Sequence, residues 1–356
     1  MKVLQLIDSL EAGGAERMAI SLANELNGIG IASYLCSTRE EGPLQQSLDT
    51  EVSYQFLNKR SRYDLRAFVR LKKWVRQNQI NIIHTHSSSF FFGYLLKLSF
   101  PKITLIWHDH YGNSELLSTR KFGILRHCSR KFDAIISVNS NLKNWALTYL
   151  KCPNVHFLNN FVSQKSRSSP SIQVKGGNEQ KIVCLANLRP QKDHLNLLKS
   201  FKELRTQFDC SLHLFGKSFE DDYFDTINDY VSENGLDNVY FYGSQTGIVQ
   251  LLKAFDIGVL ASKSEGLPVA LLEYGLAGLA VVATDVGQTK QVVSNFGAIV
   301  PAENSEALAK ALSEYLKNGE KRKEDAQLFA EHIKRNYTFE AISAKLLGIY
   351  KNPKIH

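Results

Sequence analysis

Two glutamates bracket a short segment whose residue types suit sugar and phosphate binding. Glu265 and Glu273 enclose the run Gly266-Leu267-Pro268 and the apolar residues after it. Proline is favoured at the start of a helix, so Pro268 predicts a helix whose first amides point back toward Gly266. Glycine lets the backbone approach a phosphate, and the helix dipole favours its negative charge. Each carboxylate can accept two hydrogen bonds from vicinal hydroxyls, so the segment predicts a nucleotide-sugar pocket.

The surrounding elements place this segment at an edge where ligands bind. The predicted helix is followed by Gly278, by a buried-strand run at 279–283 and by Thr284-Asp285-Val286-Gly287. A strand–helix–strand unit has its ligand edge where the strands end. Taken alone, Glu265 as a solvated loop residue and Glu273 as an exposed helix residue would be the usual expectation. The strand–helix–strand context favours the binding role instead.

Several details of this segment agree with one family of enzymes. The spacing of the two glutamates, the internal Gly-Leu-Pro and the following Val-Val-Ala-Thr-Asp-Val-Gly resemble the E-x7-E signature of the retaining glycosyltransferases of family 4. The resemblance implies an α/β protein of the GT-B fold, with two Rossmann-like doubly wound domains facing across a cleft. It also implies a catalytic part for Glu265 and a donor-binding set of Glu265, Gly266, Leu267, Pro268, Val269 and Glu273.

A glycine pair follows the first predicted strand. The strand ends at Asp8, and Gly13 and Gly14 precede Glu16 and Arg17 at the start of a helix. The G-x-G-x-x-G spacing of a dinucleotide fold is absent, and a tight structural turn would explain two glycines equally well. The run Gly-Gly-Ala-Glu-Arg is, however, similar to the first loop of many family 4 enzymes. The resemblance implies that Gly13 and Gly14 lie near the donor phosphates, with Glu16 on the acceptor or sugar side.

A pair of cations opens the second half of the chain. Arg189 and Lys192 lie just past a predicted strand, where they could clamp a diphosphate and offset the charge that builds on it. Exposed loop cations are common, so the pair alone would favour a solvated role. The segment resembles the family sequence G-R-L-x-x-x-K-G, with Lys192 at the lysine and Asn187 at the arginine position. We expect Lys192 to act in catalysis and donor binding. Either Arg189 replaces the arginine missing at Asn187, or its side chain points away and phosphate binding rests on Lys192 and the helix terminus.

Two His-x-His pairs lie at predicted strand ends. One is His84 and His86, and the other is His108 and His110. Too few carboxylate or thiolate ligands lie near either pair to predict a metal site. The resemblance implies that a histidine after the fourth strand reaches the donor sugar, which matches His108 as a catalytic residue, with His110 close behind on the sugar side. His84 and His86 are then hydrogen-bonded structural residues.

Composition and charge narrow the function classes further. The chain has 356 residues with 44% hydrophobic content, enough for two domains. No apolar run reaches membrane-spanning length, and residues 1–10 show a strand pattern without a leader, so we expect a cytosolic protein. The five cysteines show no C-x-x-C spacing, which argues against a disulfide framework and a thiolate metal site.

Positive charge is concentrated in the first half. Residues 1–175 carry 23 Lys and Arg against 12 Asp and Glu, which leaves 20 against 23 for the remainder, or net charges of +11 and −3. Between Arg60 and Arg76, apolar residues at helical spacing alternate with seven cations: Arg60, Arg62, Arg66, Arg70, Lys72, Lys73 and Arg76. A second basic set follows at Arg120, Lys121, Arg126, Arg130 and Lys131. A solvated helix face would explain part of this pattern. A helix face of positive charge beside Trp74 and Phe68 also suits an anionic lipid surface. No signature of a nucleic-acid-binding fold accompanies it.

The strand and helix patterns predict two α/β domains. Alternating runs support an N-terminal acceptor-side Rossmann-like domain at 1–162 and a nucleotide-sugar-binding domain at 181–337. Residues 163–180 are polar and rich in Gly and Pro, which predicts a linker. The resemblance implies that residues 338–356 form a helix packing back on the first domain.

The sequence thus predicts a metal-independent retaining glycosyltransferase without a cofactor. We expect it to move a hexose-type sugar from a nucleotide diphosphate sugar, most simply a UDP-sugar, to a saccharide or lipid-linked acceptor in polysaccharide synthesis at the inner membrane face. Two alternatives stay open. One is a nucleotide-sugar epimerase on the same fold, and the other is a non-enzymatic protein that binds anionic surfaces.

Overall fold

The chain folds into two compact units. A computed structural model describes residues 1–11, 13–61, 64–112, 117–163, 172–245 and 247–353. The first unit comprises Met1–Ser163 and Phe339–His356, and the second comprises Gln164–Thr338. The linker predicted at 163–180 falls partly outside the described residues, because 164–171 are not among them.

A parallel sheet of seven strands forms the centre of the first unit. Its strands are β1 (Lys2–Ile7), β2 (Ala32–Ser37), β3 (Ser53–Phe56), β4 (Ile82–His86), β5 (Thr104–Asp109), β6 (Ala134–Ser137) and β7 (Val155–Phe157). Their order is β3-β2-β1-β4-β5-β6-β7, and every pairing is parallel. The helices of this unit are α1 (Gly14–Gly28), α2 (Leu65–Gln77), α3 (Phe90–Ser99), α4 (Gly123–Cys128) and α5 (Ser140–Tyr149).

The second unit repeats this architecture with six parallel strands. They are β8 (Gln180–Leu185), β9 (Cys210–Phe215), β10 (Val239–Phe241), β11 (Ile257–Leu260), β12 (Ala280–Thr284) and β13 (Ala298–Val300), in the order β10-β9-β8-β11-β12-β13. The helices are α6 (His194–Leu204), α7 (Asp222–Glu233), α8 (Ile248–Leu252), α9 (Val269–Ala277), α10 (Thr289–Val293), α11 (Ser305–Lys317) and α12 (Gly319–Asn336).

The last helix, α13 (Phe339–Lys351), belongs to the first unit. One face of it is buried against the sheet and α1, in a cluster with residues such as Val3, Met18 and Ile106. The buried residues of α13 are Phe339, Ile342, Leu346, Ile349 and Tyr350. Because α13 covers the sheet near β1 and β4, it contributes Tyr350 to the interior described below.

In both sheets the strand order reverses once, between β1 and β4 and between β8 and β11. Strands buried on both faces read as apolar runs, which explains why β1, β8 and β12 are predictable from sequence. The architecture confirms the predicted α/β class with two Rossmann-like doubly wound domains. In such sheets ligands bind beyond the carboxyl ends of the strands at the reversal point.

Candidate functional site

The reversal point of the second sheet is formed by two loops. One loop follows β8 and holds Lys192, and the other follows β11 and holds Glu265. A backbone hydrogen bond of 2.8 Å from Lys263 N to Gln191 O joins them. Two residues that are 73 positions apart are therefore neighbours, because β8 and β11 are adjacent parallel strands.

Lys192 and Glu265 form an ion pair at this point. Lys192 Nζ lies 2.6 Å from Glu265 Oε1, and Ser262 Oγ donates to the same oxygen at 2.7 Å. The Lys192 side chain is 20% exposed and that of Glu265 only 8%, so the cation is the more accessible partner. An ammonium has three donors, so Lys192 can keep this contact and still bind an anion.

The loop carrying Glu265 is shaped by a close approach of backbone from a third loop, after β12. Gly287 has φ +54°, and a Cβ on it would lie 2.2 Å from Glu265 O. Gln288 N donates to Gly266 O at 3.0 Å, and Thr284 Oγ1 donates to Ser262 O at 2.6 Å. Only glycine fits at position 287, because both the space and the left-handed backbone exclude a side chain.

Helix α9 begins directly after the Gly266 turn. Pro268 is its N-cap, and the helix starts at Val269, one residue later than the first helical position predicted for proline. Gly266, Leu267, Pro268 and Val269 are all buried. Of the first amides of the helix, Leu271 N donates to the N-cap carbonyl Pro268 O at 3.2 Å, and those before it lack intrahelical partners, as at any helix start.

Glu273 lies one turn into α9 and is 5% exposed. Its neighbour Tyr274 fixes the helix to the sheet, since Leu185 N donates to the Tyr274 hydroxyl at 2.6 Å and the hydroxyl donates to Val259 O at 3.2 Å. Gly258 makes room for this ring, because a Cβ there would lie 2.5 Å from Tyr274 Cγ. Packing between α9 and the strands thus determines where Glu273 lies.

The other two residues of the predicted diphosphate segment do not join the ion pair. The Arg189 side chain is exposed, and its guanidinium lies over the Phe219 ring at 4.6 Å. Asn187 Oδ1 accepts a hydrogen bond from Lys217 N at 2.9 Å, which fastens the loop after β8 to the loop after β9. In this conformation Lys192 carries the charge nearest to Glu265.

In the first unit, the glycine pair forms the start of α1. Gly13 is the N-cap, with an extended backbone, and Gly14 is the first helical residue. The Glu16 side chain folds back over this turn, because a Cβ on Gly13 would lie 2.2 Å from Glu16 Oε2. The atoms closest to Gly13 thus belong to the Glu16 side chain, and a role of the glycine pair near the donor phosphates stays a prediction.

Four histidines at the ends of β4 and β5 form a histidine cluster: His84, His86, His108 and His110. The rings of His84 and His86 stack with centroids 4.6 Å apart, and those of His108 and His110 are tilted by 36° with centroids 4.0 Å apart. The Nε2 of His84 is 3.2 Å from the Nδ1 of His108, and the Nδ1 of His86 is 3.0 Å from the Nε2 of His110. His108 is 1% exposed, whereas His110, just past the strand, is partly exposed.

Burial keeps the histidine cluster neutral. It lowers the pKa of His84 and of His110 to about 3, and neighbouring histidines add to the effect at His84. Burial first, and neighbouring histidines second, lower the pKa of His86 and of His108 well below the ordinary value. Neutral imidazoles offer one donor and one acceptor each, which suits sugar hydroxyls better than phosphates.

Two acidic residues near the histidine cluster, Asp8 and Asp109, were not predicted as site residues. Asp8, directly after β1, accepts from Ser88 Oγ at 2.6 Å and from Thr38 Oγ1, and it lies 3.3 Å from Lys59 Nζ. Burial alone would raise the pKa of Asp8, but Lys59, these hydroxyls and Arg39 hold it below the ordinary value. The one sequence signal was an acid at the end of a strand.

The second of these acidic residues is Asp109, which forms a bidentate ion pair with Arg120 at 2.7 and 2.8 Å. The guanidinium also lies 4.2 Å from the centre of the Trp145 ring. Arg120 had been grouped in the sequence with surface cations that could meet an anionic partner. That interpretation is wrong for this residue, because its charge is buried against Asp109.

Helix α2 carries the basic segment. Its inner face buries Ala67, Leu71 and Val75, while Leu65 and Val69 are 74% and 62% exposed. Exposed cations surround these two apolar side chains: Arg66, Arg70, Lys72, Lys73 and Arg76. The predicted cation at Arg62 lies outside the described residues. Among the described helices, none combines the length and the apolar character needed to cross a bilayer.

Two family models match adjoining parts of the chain. A family model described as Glycosyltransferase Family 4 matches residues 12–165, and one described as Glycosyl transferases group 1 matches residues 165–327. The chain is 21% identical over 354 residues to phosphatidyl-myo-inositol mannosyltransferase of Mycolicibacterium smegmatis, covering 98% of this chain and 88% of that protein. It is 22% identical to the capsular polysaccharide biosynthesis glycosyltransferase CapH of Staphylococcus aureus, covering 83% and 84%.

Solved structures share the fold at low identity. The structure of Anabaena HepE in complex with UDP and glucose has a TM-score of 0.83 and 16% identity, covering 99% of both chains. Sucrose-phosphate synthase from Thermosynechococcus elongatus has a TM-score of 0.80 and 17% identity, also covering 99% of both. With two adjoining family models over residues 12–327 and this fold, the chain belongs to the family 4-type glycosyltransferases of the GT-B fold.

Proposed function

We propose that this glycosyltransferase moves a sugar, with retention, from a nucleotide diphosphate sugar to a saccharide or lipid-linked acceptor in polysaccharide synthesis. The observation that carries the proposal is the Lys192–Glu265 pair at the reversal point of the second sheet, beside the start of α9. A cation and a helix N-terminus together favour a diphosphate. The buried carboxylate of Glu273, one turn further on, suits the ribose hydroxyls of the nucleotide.

The same residues support a reaction that needs no metal ion. As the bond between the sugar C1 and the diphosphate oxygen breaks, negative charge grows on the leaving diphosphate, and Lys192 and the α9 amides can stabilise it. The acceptor oxygen forms the new bond to C1 on the same face, and its proton passes to the departing phosphate oxygen. Glu265 acts by orienting Lys192 through the 2.6 Å contact. Orientation and charge stabilisation then supply the rate enhancement.

A UDP-sugar is the donor we favour. HepE, which shares the fold over 99% of both chains, is described in complex with UDP and with UDP-glucose. Because the identity to HepE is 17%, the uridine base and the sugar of the donor are proposed for this protein and are tested below.

One set of reactions separates the proposal from its alternatives. The protein is incubated with UDP-glucose, UDP-galactose, UDP-N-acetylglucosamine and GDP-mannose, with and without polyprenyl-diphosphate-linked saccharides, and with EDTA in parallel. We expect acceptor-dependent release of the nucleotide, a product that keeps the donor's anomeric configuration, and no loss with EDTA. An isomerised donor without nucleotide release would instead establish an epimerase. Loss of transfer with EDTA that Mg²⁺ restores would contradict the metal-independent reaction.

We further propose that α2 docks the first unit on an anionic inner membrane face. Leu65 and Val69 project outward among the cations, as expected for shallow insertion with headgroup contacts. Asp64, the only acid in the segment, is used as the helix N-cap and accepts from Ala67 N at 2.9 Å. Each cation near such a surface contributes about 1 kcal/mol. Phe68 and Trp74 do not take part, because they pack edge-on against Phe92 and Tyr34 inside the protein.

The docking proposal is tested by vesicle co-sedimentation. Changing Arg66, Lys73 and Arg76 to Glu should abolish binding to vesicles that contain phosphatidylglycerol and leave UDP affinity unchanged. Arg70 is spared because its guanidinium donates to Leu57 O. A matched control changes three exposed cations of the second unit, Lys310, Lys334 and Arg335, to Glu. If both triple variants lose binding equally, or wild-type protein ignores the vesicles at low salt, docking through α2 is wrong.

A further inference from the structure

A buried glutamine connects the histidine cluster to the C-terminal helix. Gln5 in β1 is 0% exposed, and Tyr350 in α13 is 3% exposed. Gln5 Oε1 lies 2.8 Å from His86 Nε2, and Gln5 Nε2 donates to the Tyr350 hydroxyl at 3.4 Å. The same hydroxyl lies 2.8 Å from His84 Nδ1. Gln5 is therefore the point at which two chains of hydrogen bonds meet.

The first chain determines which nitrogen of His110 carries a hydrogen. A glutamine carbonyl oxygen can only accept, so His86 Nε2 must donate to it. A neutral imidazole has one ring hydrogen, which leaves His86 Nδ1 as an acceptor for the Nε2 hydrogen of His110. The remaining nitrogen of His110, Nδ1, is then an acceptor.

The second chain runs through the tyrosine. Of the two partners of the Tyr350 hydroxyl, only His84 Nδ1 can accept its hydrogen, because Gln5 Nε2 is a donor. His84 then carries its hydrogen on Nε2 and donates to His108 Nδ1 at 3.2 Å. His108 keeps its hydrogen on Nε2, a buried atom with no hydrogen-bond partner in the part of the chain that the structure describes.

We propose that Gln5 and Tyr350 are positioning residues that fix the ring tautomers of His110 and His108. Through them, His110 offers an acceptor and His108 a donor to hydroxyls of the sugar substrate. This inference rests on the proposed glycosyltransferase function. Of the two histidines, His110 is the residue that is partly exposed, directly after β5, so a substrate hydroxyl would meet His110 before His108. Neither Gln5 nor Tyr350 needs to touch the substrate.

The network also competes with metal binding at the same place. Ring nitrogens of His84, His86 and His108 lie within 4.8 Å of one another, close enough to be drawn onto one ion. In the tautomers derived above, the unprotonated nitrogens of His86 and His108 already accept hydrogen bonds from neighbouring rings. A metal would have to break these bonds, so the two arrangements exclude each other and can be distinguished by experiment.

Nitrogen NMR of the full-length protein tests the tautomers directly. Imidazole ¹⁵N shifts and their couplings to ring protons distinguish a protonated from an unprotonated nitrogen, and each signal is assigned by replacing one histidine at a time. We expect all four rings at neutral pH to carry their hydrogen on Nε2. A hydrogen on Nδ1 of His86 or His110, or a shift of the Nδ1 signals on adding Zn²⁺, would overturn the proposal.

Near-isosteric variants test the two chains of hydrogen bonds separately. Gln5→Met removes the acceptor for His86 and should change the signals of His86 and His110, with a loss of about three- to tenfold in kcat/KM. Tyr350→Phe should change the signals of His84 and His108 and leave His110 as in wild type. Gln5→Glu restores an acceptor for His86 and should restore the His110 signals.

The readouts also separate this inference from the proposed function. If Gln5→Met leaves the His110 nitrogens unchanged, or if Tyr350→Phe moves them as much as it moves those of His84, the two-chain assignment is wrong. The tautomers are measured without substrate. A protein that shows the expected tautomers but transfers no sugar would contradict the glycosyltransferase reaction and leave the hydrogen-bond assignment standing.

Discussion

Lys192→Ala should lower turnover far more than it lowers donor affinity. The ammonium lies 2.6 Å from Glu265 at the edge of the second sheet, and one of its three donors is used there. The other two can contact a diphosphate, whose negative charge is greatest when the sugar bond has broken. An interaction that strengthens toward the transition state contributes to kcat, whereas an interaction of constant strength changes KM alone.

The size of the effect follows from the exposure of the lysine. Two unit charges about 4 Å apart interact by about 4 kcal/mol at the effective dielectric of a protein surface. The Lys192 side chain is 20% exposed, which places it in this regime. Removal of one preorganised donor from a developing anion typically lowers kcat by about 10²- to 10³-fold. We expect a loss in that range, with UDP affinity falling by about tenfold or less.

The measurement combines steady-state kinetics with calorimetric titration of UDP. Lys263→Ala is a matched control, because Lys263 lies on the loop after β11 but is held by Glu303 at 2.9 Å and by Asp193 at 3.7 Å. It should change kcat by less than about threefold, since its charge is already paired at the surface. An unchanged kcat in Lys192→Ala with a raised KM would refute the proposed role in charge stabilisation. Equal losses in both variants would point to a general effect of the loop.

Three other changes test separate parts of the structure. Glu273→Gln should weaken UDP binding by about 1–3 kcal/mol. Replacing UDP by 2′-deoxy-UDP should lower the binding affinity less in this variant than in wild type, and an equal loss of affinity in the two proteins would contradict ribose recognition. Gly258→Ala should lower the free energy of unfolding by about 1–3 kcal/mol, because its Cβ would lie 2.5 Å from Tyr274 Cγ, whereas Gly319→Ala, with open space around it, should not; thermal unfolding compares them. For the histidine cluster, the pKa of His84 is lowered to about 3 by burial, against about 6.5 in the unfolded chain, so only the unfolded chain takes up that proton at intermediate pH. The free energy of unfolding should therefore be greatest above about pH 6.5 and should fall below it, by up to about 1.4 kcal/mol per pH unit for each such histidine. Urea unfolding at a series of pH values measures this dependence. The free energy of unfolding should fall less steeply with decreasing pH in His84→Gln than in wild type or in His127→Gln, a control at an exposed residue.

The strand pattern predicted the central strands of both sheets and the edge strands β7 and β10, but not the edge strands β3 and β13. A strand covered on both faces must be apolar along its length, as in β8 and β12, and such runs are visible in a sequence. The edge strand β3 is Ser-Tyr-Gln-Phe, with no fully buried residue, and β13 has only three residues. Their pairing with β2 and β12 is set by the neighbouring strand, which no local pattern reveals.

Residues of the candidate site were identified one by one, but their partners were not. Lys192 and Glu265 each follow a strand, yet their contact depends on β8 and β11 being neighbours in the sheet. The position of Glu273 depends on Tyr274 fitting against Gly258, a fit that spacing along the chain cannot show. Local motifs thus indicated which residue types bind, and tertiary packing decided which of them meet.

Surface predictions failed where a side chain had a stronger partner inside. Trp74 and Arg120 were both assigned from sequence to faces that could meet an anionic surface. Trp74 instead packs on Tyr34 with ring centroids 5.7 Å apart, and Arg120 pairs with Asp109. An amphipathic pattern gives the angle of a side chain around a helix, but not how far the neighbouring elements cover it.

The two sheets differ in the charge they place at the reversal point, and this difference has a chemical reason. In the second unit, a partly exposed lysine and a helix start supply positive charge, which a diphosphate requires. In the first unit, the histidine cluster is held neutral by burial. A protonated imidazole there would attract the diphosphate to the wrong unit and would offer no acceptor to a hydroxyl. Under the proposed function, neutral histidines fixed in one tautomer would distinguish hydroxyl donors from acceptors, so we propose that the two units divide charge recognition and hydroxyl recognition between them.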